Sequence, residues 1–425
     1  MDAIECQTKI INISVNNENP PMPVGDLSFP NMPAISRIKL SAVSAGIKKN
    51  NQLDLMLIEF PVDATVAGVF TQNAFCAAPV TICKQHITQH PRYILVNAGN
   101  ANACTGEQGM AAALDCCRAV AANTSVSYQQ VLPFSTGVIG EPLPAEKIIN
   151  GVPALLTGLN ETNWLLAAKG IMTTDTCPKG ATSSFEYAGE TIVVNGISKG
   201  AGMINPNMAT MLGFIATNAT VKQSVLDSLS FNAANQSFNR ITIDGDTSTN
   251  DSCILVAAGE TRCVVEESSG DLYRLLETAV NDVYKTLAQA IVRDGEGATK
   301  FITVQVEAGT TANECLQVAY AIAHSPLVKT ACFASDPNWG RIVAAIGYAG
   351  ITSLNVNNIR VYLDDVLIVE NGGRADSYHE EAGQAVMNNS EITLRVCLGR
   401  GDAIETIWTT DLSHEYVTIN AEYRT

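Results

Sequence analysis

The stretch KGAGMINPNMATMLGF (199–214) carries no charge after Lys199 and is dense in glycine, amide and hydroxyl residues. It opens an uncharged window from Gly200 to Val221, long enough on length alone to suit a membrane helix. The composition argues otherwise. Asn205, Pro206, Asn207 and Asn218 would leave amides and a broken helix in hydrocarbon, so no membrane span is expected. Pro206 and Asn207 suit a constrained bend instead.

Outward from this segment the chain is rich enough in apolar residues to fold around it. Its 425 residues are 46% hydrophobic, enough for two or three core-bearing layers or lobes. The net charge of −16, from 26 basic against 42 acidic residues, disfavours nucleic acid and anionic membrane surfaces as partners. The first thirty residues are polar and rich in proline and asparagine, without an apolar export signal, so a loosely packed arm and a cytoplasmic location are expected. The twelve cysteines are scattered without a CxxC pair and the five histidines without an HExxH. Reduced thiols and no metal centre follow.

Short apolar runs bounded by turn formers predict strands at Leu53 to Phe60, Tyr93 to Asn97, Thr191 to Asn195, Cys253 to Ala258 and Phe301 to Val306. Asp364 and Asp365 read as a hairpin turn inside Ile359 to Val369. From Asp271 to Val292, apolar residues recur at Leu272, Leu275, Leu276, Ala279, Val280, Val283, Leu287, Ala290 and Ile291, the three-and-four spacing of an amphipathic helix. Helices are also predicted over Gly109 to Ala122 and Glu314 to Ala323, the latter stopped before Pro326. Strands and helices alternate without a regular βαβ cadence, and no internal repeat is visible. An α+β layered architecture is therefore expected.

There is no GxSxG elbow, no P-loop and no GxGxxG. What recurs is a set of runs of small, hydroxyl and amide residues: NAGNANACTG (97–106), FSTGVIGEP (134–142), IMTTDTCPKG (171–180), the opening stretch, IDGDTSTND (243–251), RDGEGATKF (293–301) and DPNWGR (336–341). Each alone reads as a turn. IDGDTSTND is not a calcium loop, because its sixth position is Thr249 and its twelfth Leu255. Lys300 does not stand at P-loop spacing. Together the runs suggest one site assembled from several loops.

NPNMATMLGF, DGDTSTND, DGEGATKF, SPLVKTA and DPNWGR, in this order, make the chain resemble the ornithine acetyltransferase family of arginine biosynthesis, from about residue 34 to the terminal INAEYRT. The first thirty residues have no clear counterpart, and Cys177 stands where an aromatic is expected. The resemblance implies a layered α/β sandwich and a chain that cleaves itself between Ala209 and Thr210. An arm of residues 1–30 would precede an alpha chain of 31–209, followed by a beta chain of 210–425 with a C-terminal lobe from about residue 300. Two of each chain would form a heterotetramer. The implied reaction moves acetyl from N2-acetylornithine to glutamate with no cofactor, by a ping-pong route through acetyl-Thr210. Some members also take acetyl-CoA as donor.

The chemistry of Thr210 is coherent. A threonine hydroxyl is a weak nucleophile, and no histidine is placed to activate it. Cleavage would free an α-amine with a pKa of about 7.7–8.0, roughly a quarter to two-fifths neutral near pH 7.5, which can act as base. In the uncleaved chain that nitrogen is an amide. By resemblance Thr136 and Gly137 form the oxyanion hole, a role compatible with the plain reading of a tight turn needing Gly137. The same resemblance implies that Thr173, Lys199, Thr210, Glu296, Asn420 and Thr425 contact substrate, with the adjacent Thr174 competing for the role of Thr173. Lys199 would pair a carboxylate and Glu296 an ammonium. Two other readings stand beside this one: an N-terminal-nucleophile amidohydrolase or aminopeptidase in which water resolves the acyl-enzyme, and an uncleaved amino-acid-binding protein.

Overall fold

The computed structural model describes residues 22–49, 51–205 and 211–422. Two sheets face each other at its centre. The first has four strands in the order Lys39–Val43, Leu55–Glu59, Tyr93–Asn100 and Val131–Val138. The second has five, in the order Thr65–Phe70, Ser252–Ala257, Leu212–Thr217, Glu190–Lys199 and Lys179–Tyr187. Between them lies a core that takes Met56, Ile58, Val96 and Phe134 from the first sheet and Ile197, Phe214, Ile254 and Val256 from the second. Phe134 and Phe214 meet edge to face with centroids 5.2 Å apart, a favoured aromatic geometry.

The outer faces are as apolar as the inner ones because helices cover both. Leu55, Leu57 and Leu95 of the first sheet pack on Cys116 and Val120 of the helix Gly106–Ala122 and on Ile148 and Val152 of Ala145–Thr157. Val194, Ile215 and Leu255 of the second pack on Leu276, Val280 and Leu287 of Gly270–Arg293. The strand Glu190–Lys199 approaches this helix closely at Gly196, where a Cβ would stand 2.9 Å from both Leu287 and Val283. The result is the expected α+β sandwich, helix on sheet on sheet on helix.

The long helix spans the residues its periodicity predicts, and seven of the nine predicted apolar positions are buried. Tyr273 and Tyr284 join the buried stripe and Leu275 is left 40% exposed. The stripe is centred on Leu276, Val280, Val283 and Leu287, about one residue's rotation from Leu275. The predicted strands all form, several running longer; Glu190–Lys199 extends the expected run so that it ends on Lys199. The 360s hairpin forms between Arg360–Leu363 and Val366–Glu370, with Asp364 at φ 48°.

A third sheet of seven strands, among them Phe301–Gly309, Glu391–Cys397 and Ala403–Thr410, is backed by the helices Ala312–Ala323 and Trp339–Gly347. It joins the sandwich through Ile241–Thr242, which pairs parallel with Ala403–Thr410. Residues 22–30 hold no helix or strand. They are nonetheless anchored: Val24 is buried, and its N–H donates to Arg293 O at 2.8 Å. No helix of the described residues is long and apolar enough to cross a membrane, and every cysteine among them is free.

Candidate active site

The second sheet brings the two flanks of the opening stretch together. Glu190–Lys199 and Leu212–Thr217 pair antiparallel, with Lys199 opposite Leu212 at the sheet's end. Beside it opens a cavity of about 260 Å³, below the about 300–1,000 Å³ usual for drug-sized ligands and suited to a smaller one. Its walls include Thr136, Gly137, Thr173, Thr174, Lys199, Glu296 and Asn420. Ile204 and Met211, on either side of residues 205–210, line it too. Ala209, Thr210 and Thr425 lie outside the described residues.

Thr136 and Gly137 end the strand Val131–Val138. Gly137 has φ +133°, and a Cβ there would stand 2.6 Å from Asn100 N and closer still to Gly99. Both the dihedral and the neighbouring backbone demand glycine. Asn250 ties the loop after Ile243 to this strand end, its amide donating to Ala101 O at 2.6 Å and Ser135 O at 2.9 Å.

Lys199 is buried at its strand's end. Desolvation lowers its pKa, while Asp175, Asp251 and Glu296 favour the cation and Lys179 opposes it. Asp175 organises the backbone beneath. Its Oδ2 accepts from Thr173 N–H at 2.8 Å, and its Oδ1 accepts from Gly200 N–H at 2.7 Å and Lys179 Nζ at 2.6 Å. Burial opposes the charge on this carboxyl, yet Lys179 and Lys199 hold it well below the usual carboxylate range. Lys179 also bonds Asp294 Oδ2 at 2.5 Å, and Asp294 accepts from both N–H and hydroxyl of Thr176.

Glu296 is placed by its own N–H, which donates to Ala201 O at 2.8 Å. Burial raises its pKa, against hydrogen bonds from Thr174 and from Asn420, whose Nδ2 donates to Oε2 at 2.7 Å. Gly202 leaves room for this carboxylate, which any Cβ there would strike. Asn420 rides on the C-terminal helix His414–Ala421, capped by Ser413 and fastened by Tyr416, whose hydroxyl donates to Asp244 Oδ2 at 3.1 Å. Asp244 also accepts from Met203 N–H at 2.6 Å and Ile204 N–H at 2.9 Å, pinning the opposite wall.

Thus six residues predicted from the sequence meet in one cavity: Thr136, Gly137, Thr173, Lys199, Glu296 and Asn420. Thr174 lines it beside Thr173 and is the one bonded to Glu296. Sequence reasoning did not assign Asp175, Asp244, Asn250 and Asp251, although each sits inside a run it singled out. Those runs held the signal; turn-forming Asp and Asn gave no sign of which carboxylates face the site.

One small cavity of a layered α+β sandwich thus encloses a lysine, a glutamate and a strand end pinned at a glycine. The chain belongs to the ArgJ family, whose model matches residues 39–425. The arginine biosynthesis bifunctional protein of Pseudomonas fluorescens is 56% identical over 95% of this chain and 100% of that protein. Its counterpart in Pseudomonas syringae pv. tomato is 58% identical over the same shares. Among solved structures, the arginine biosynthesis bifunctional protein of Bacillus halodurans is 36% identical, matching 50% of this chain and 99% of that one with a TM-score of 0.47.

Proposed function

We propose that this protein is a glutamate N-acetyltransferase that moves acetyl from N2-acetylornithine to glutamate through an acetyl ester on Thr210. Family membership supports acetyl transfer in arginine biosynthesis. The observation that carries the site assignment is the convergence of six residues, from four of those runs and the C-terminal segment, on a cavity whose wall includes Met211, the residue next to Thr210. Lys199 holds the α-carboxylate of either amino acid and Glu296, steadied by Asn420, holds the side-chain ammonium of ornithine. Thr136 and Gly137 receive the oxyanion, where loss of one donor costs about 2.7–4 kcal/mol.

Self-cleavage before Thr210 supplies the base. The fragments 1–209 and 210–425 then share the second sheet, which takes strands from both sides of the cut, and two copies of each form the cytoplasmic enzyme. Acetyl-CoA is a further donor of the same acyl group. Intact mass of the purified protein is expected to show a fragment beginning at Thr210. Incubation with acetylornithine is expected to yield acetylglutamate only when glutamate is present. Equal acetate release with and without glutamate would make it a hydrolase; a Thr210→Ala variant that turns over normally would remove the nucleophile.

A further inference from the structure

Asp251 lines the cavity without a task in that cycle. Its place is set from two sides. The next residue, Ser252, donates its N–H to Met211 O at 2.8 Å and pairs in parallel register with Leu212, which puts Asp251 beside the chain at Met211. The preceding residue, Asn250, is bonded to Ser135 O, next to Thr136. Asp251 therefore lies between the strand that follows Thr210 and the strand end that carries Thr136 and Gly137.

The side chain is almost wholly buried at 3% exposure. Ser248 hydrogen-bonds the carboxyl, but Oδ2 has no partner among the described residues. A buried polar atom left bare costs about 1–3 kcal/mol. An unpartnered carboxylate oxygen at a cavity wall is open to a partner that enters the cavity. Desolvation raises this carboxyl well above the usual carboxylate range, against Ser248 and Lys199, and so favours the acid form.

We propose that Asp251 is a second acid–base group of the transfer, protonating the departing nitrogen of an N-acyl amino acid and later accepting the proton of the incoming amine. The inference rests on the acetyl-transfer reading above. In the first half-reaction the Thr210 Oγ–C bond forms and the hydroxyl proton passes to the α-amine of residue 210. The C–N bond then breaks as Asp251 gives its proton to that nitrogen, leaving a carboxylate and an α-ammonium. In the second half the incoming amine forms the new C–N bond and yields its proton to the carboxylate. The C–O bond breaks, and the α-ammonium returns its proton to Oγ. Over the cycle no proton is consumed.

The test compares two acyl donors. A phenolate leaves 4-nitrophenyl acetate without needing a proton, whereas the amine of acetylornithine cannot leave without one. The isosteric Asp251→Asn variant is expected to lose about 10²–10⁴-fold in single-turnover acylation by acetylornithine. Its burst of nitrophenolate should stay near the parent rate. Equal losses with both donors would reduce Asp251 to a structural residue and overturn the proposal. So would undiminished acylation by acetylornithine, or a variant that intact mass shows to be uncleaved. If D251N does not fold, D251E, which retains the acid, is expected to keep the parent's ratio between the two donors; a collapsed ratio overturns the proposal as well. The parent's own acetylglutamate formation is measured first, and its absence would refute acetyl transfer itself rather than the role of Asp251.

Discussion

Lys179→Met removes a charge from the most enclosed ionic cluster near the site while keeping most of the apolar stem. Lys179 Nζ stands 2.6 Å from Asp175 Oδ1 and 2.5 Å from Asp294 Oδ2, and none of the three side chains has any exposure. In the variant, Asp175 keeps the N–H groups of Thr173 and Gly200, and Asp294 keeps Thr176. The deficit is therefore that of two buried carboxylates left facing one another, about 3–5 kcal/mol near neutral pH. The pH dependence fixes the cause. In the parent the Asp175 carboxyl is depressed, so its contribution is fully present above the ordinary value of about 3.9 and is lost as pH falls through the lower folded value. Without the Lys179 cation, the burial that opposes charge on Asp175 is less fully offset, so this carboxyl rises and acidification discharges it. The gap between variant and parent should then narrow as pH falls through the raised value. Urea midpoints at pH 7.5 and 5 measure both effects. Equal midpoints for the two proteins, or the same gap at both pH values, would refute the ionic account.

Two further outcomes follow from the cavity walls. Gly137→Ala forces a Cβ onto the backbone of Gly99 and Asn100 at φ +133°, displacing the proposed oxyanion donors. A fall in kcat of about 10²–10³ is expected with acetylornithine, and near-parental kcat would contradict the placement. Lys199→Met should raise KM for both amino acids more than it lowers kcat. Because desolvation lowers the pKa of Lys199, the parent's KM should climb as pH rises through that lowered value, whereas the variant's should not; parallel profiles between pH 7 and 10 would exclude Lys199 as the carboxylate's partner.

The sheets were legible where burial is two-sided. Leu55–Glu59 is apolar at successive positions because Leu55 and Leu57 meet helices while Met56 and Ile58 meet the other sheet, and such a run announces a strand without saying which sheet it joins. The long helix was legible in extent and in most of its buried face; at the edge Leu275 stays exposed, since Leu275 and Leu276 satisfy the same spacing and only packing chooses between them. For the site, the loops were marked by their small and hydroxyl residues, and Thr136, Lys199 and Glu296 reached one cavity as expected. The carboxylates that hold those loops were not. An aspartate that begins a turn and one that gathers backbone N–H groups from distant segments look alike in a single run. Asp175 binds Gly200 across 25 positions and shares Lys179 with Asp294, which is 115 positions from that lysine. Which of these groups is charged depends on desolvation and on the cation that arrives from another element, quantities that exist only once the chain is folded. Motifs therefore locate the walls of such a cavity, while its charge balance, and with it the separate behaviour of Asp175 and Asp251, is decided by tertiary distance.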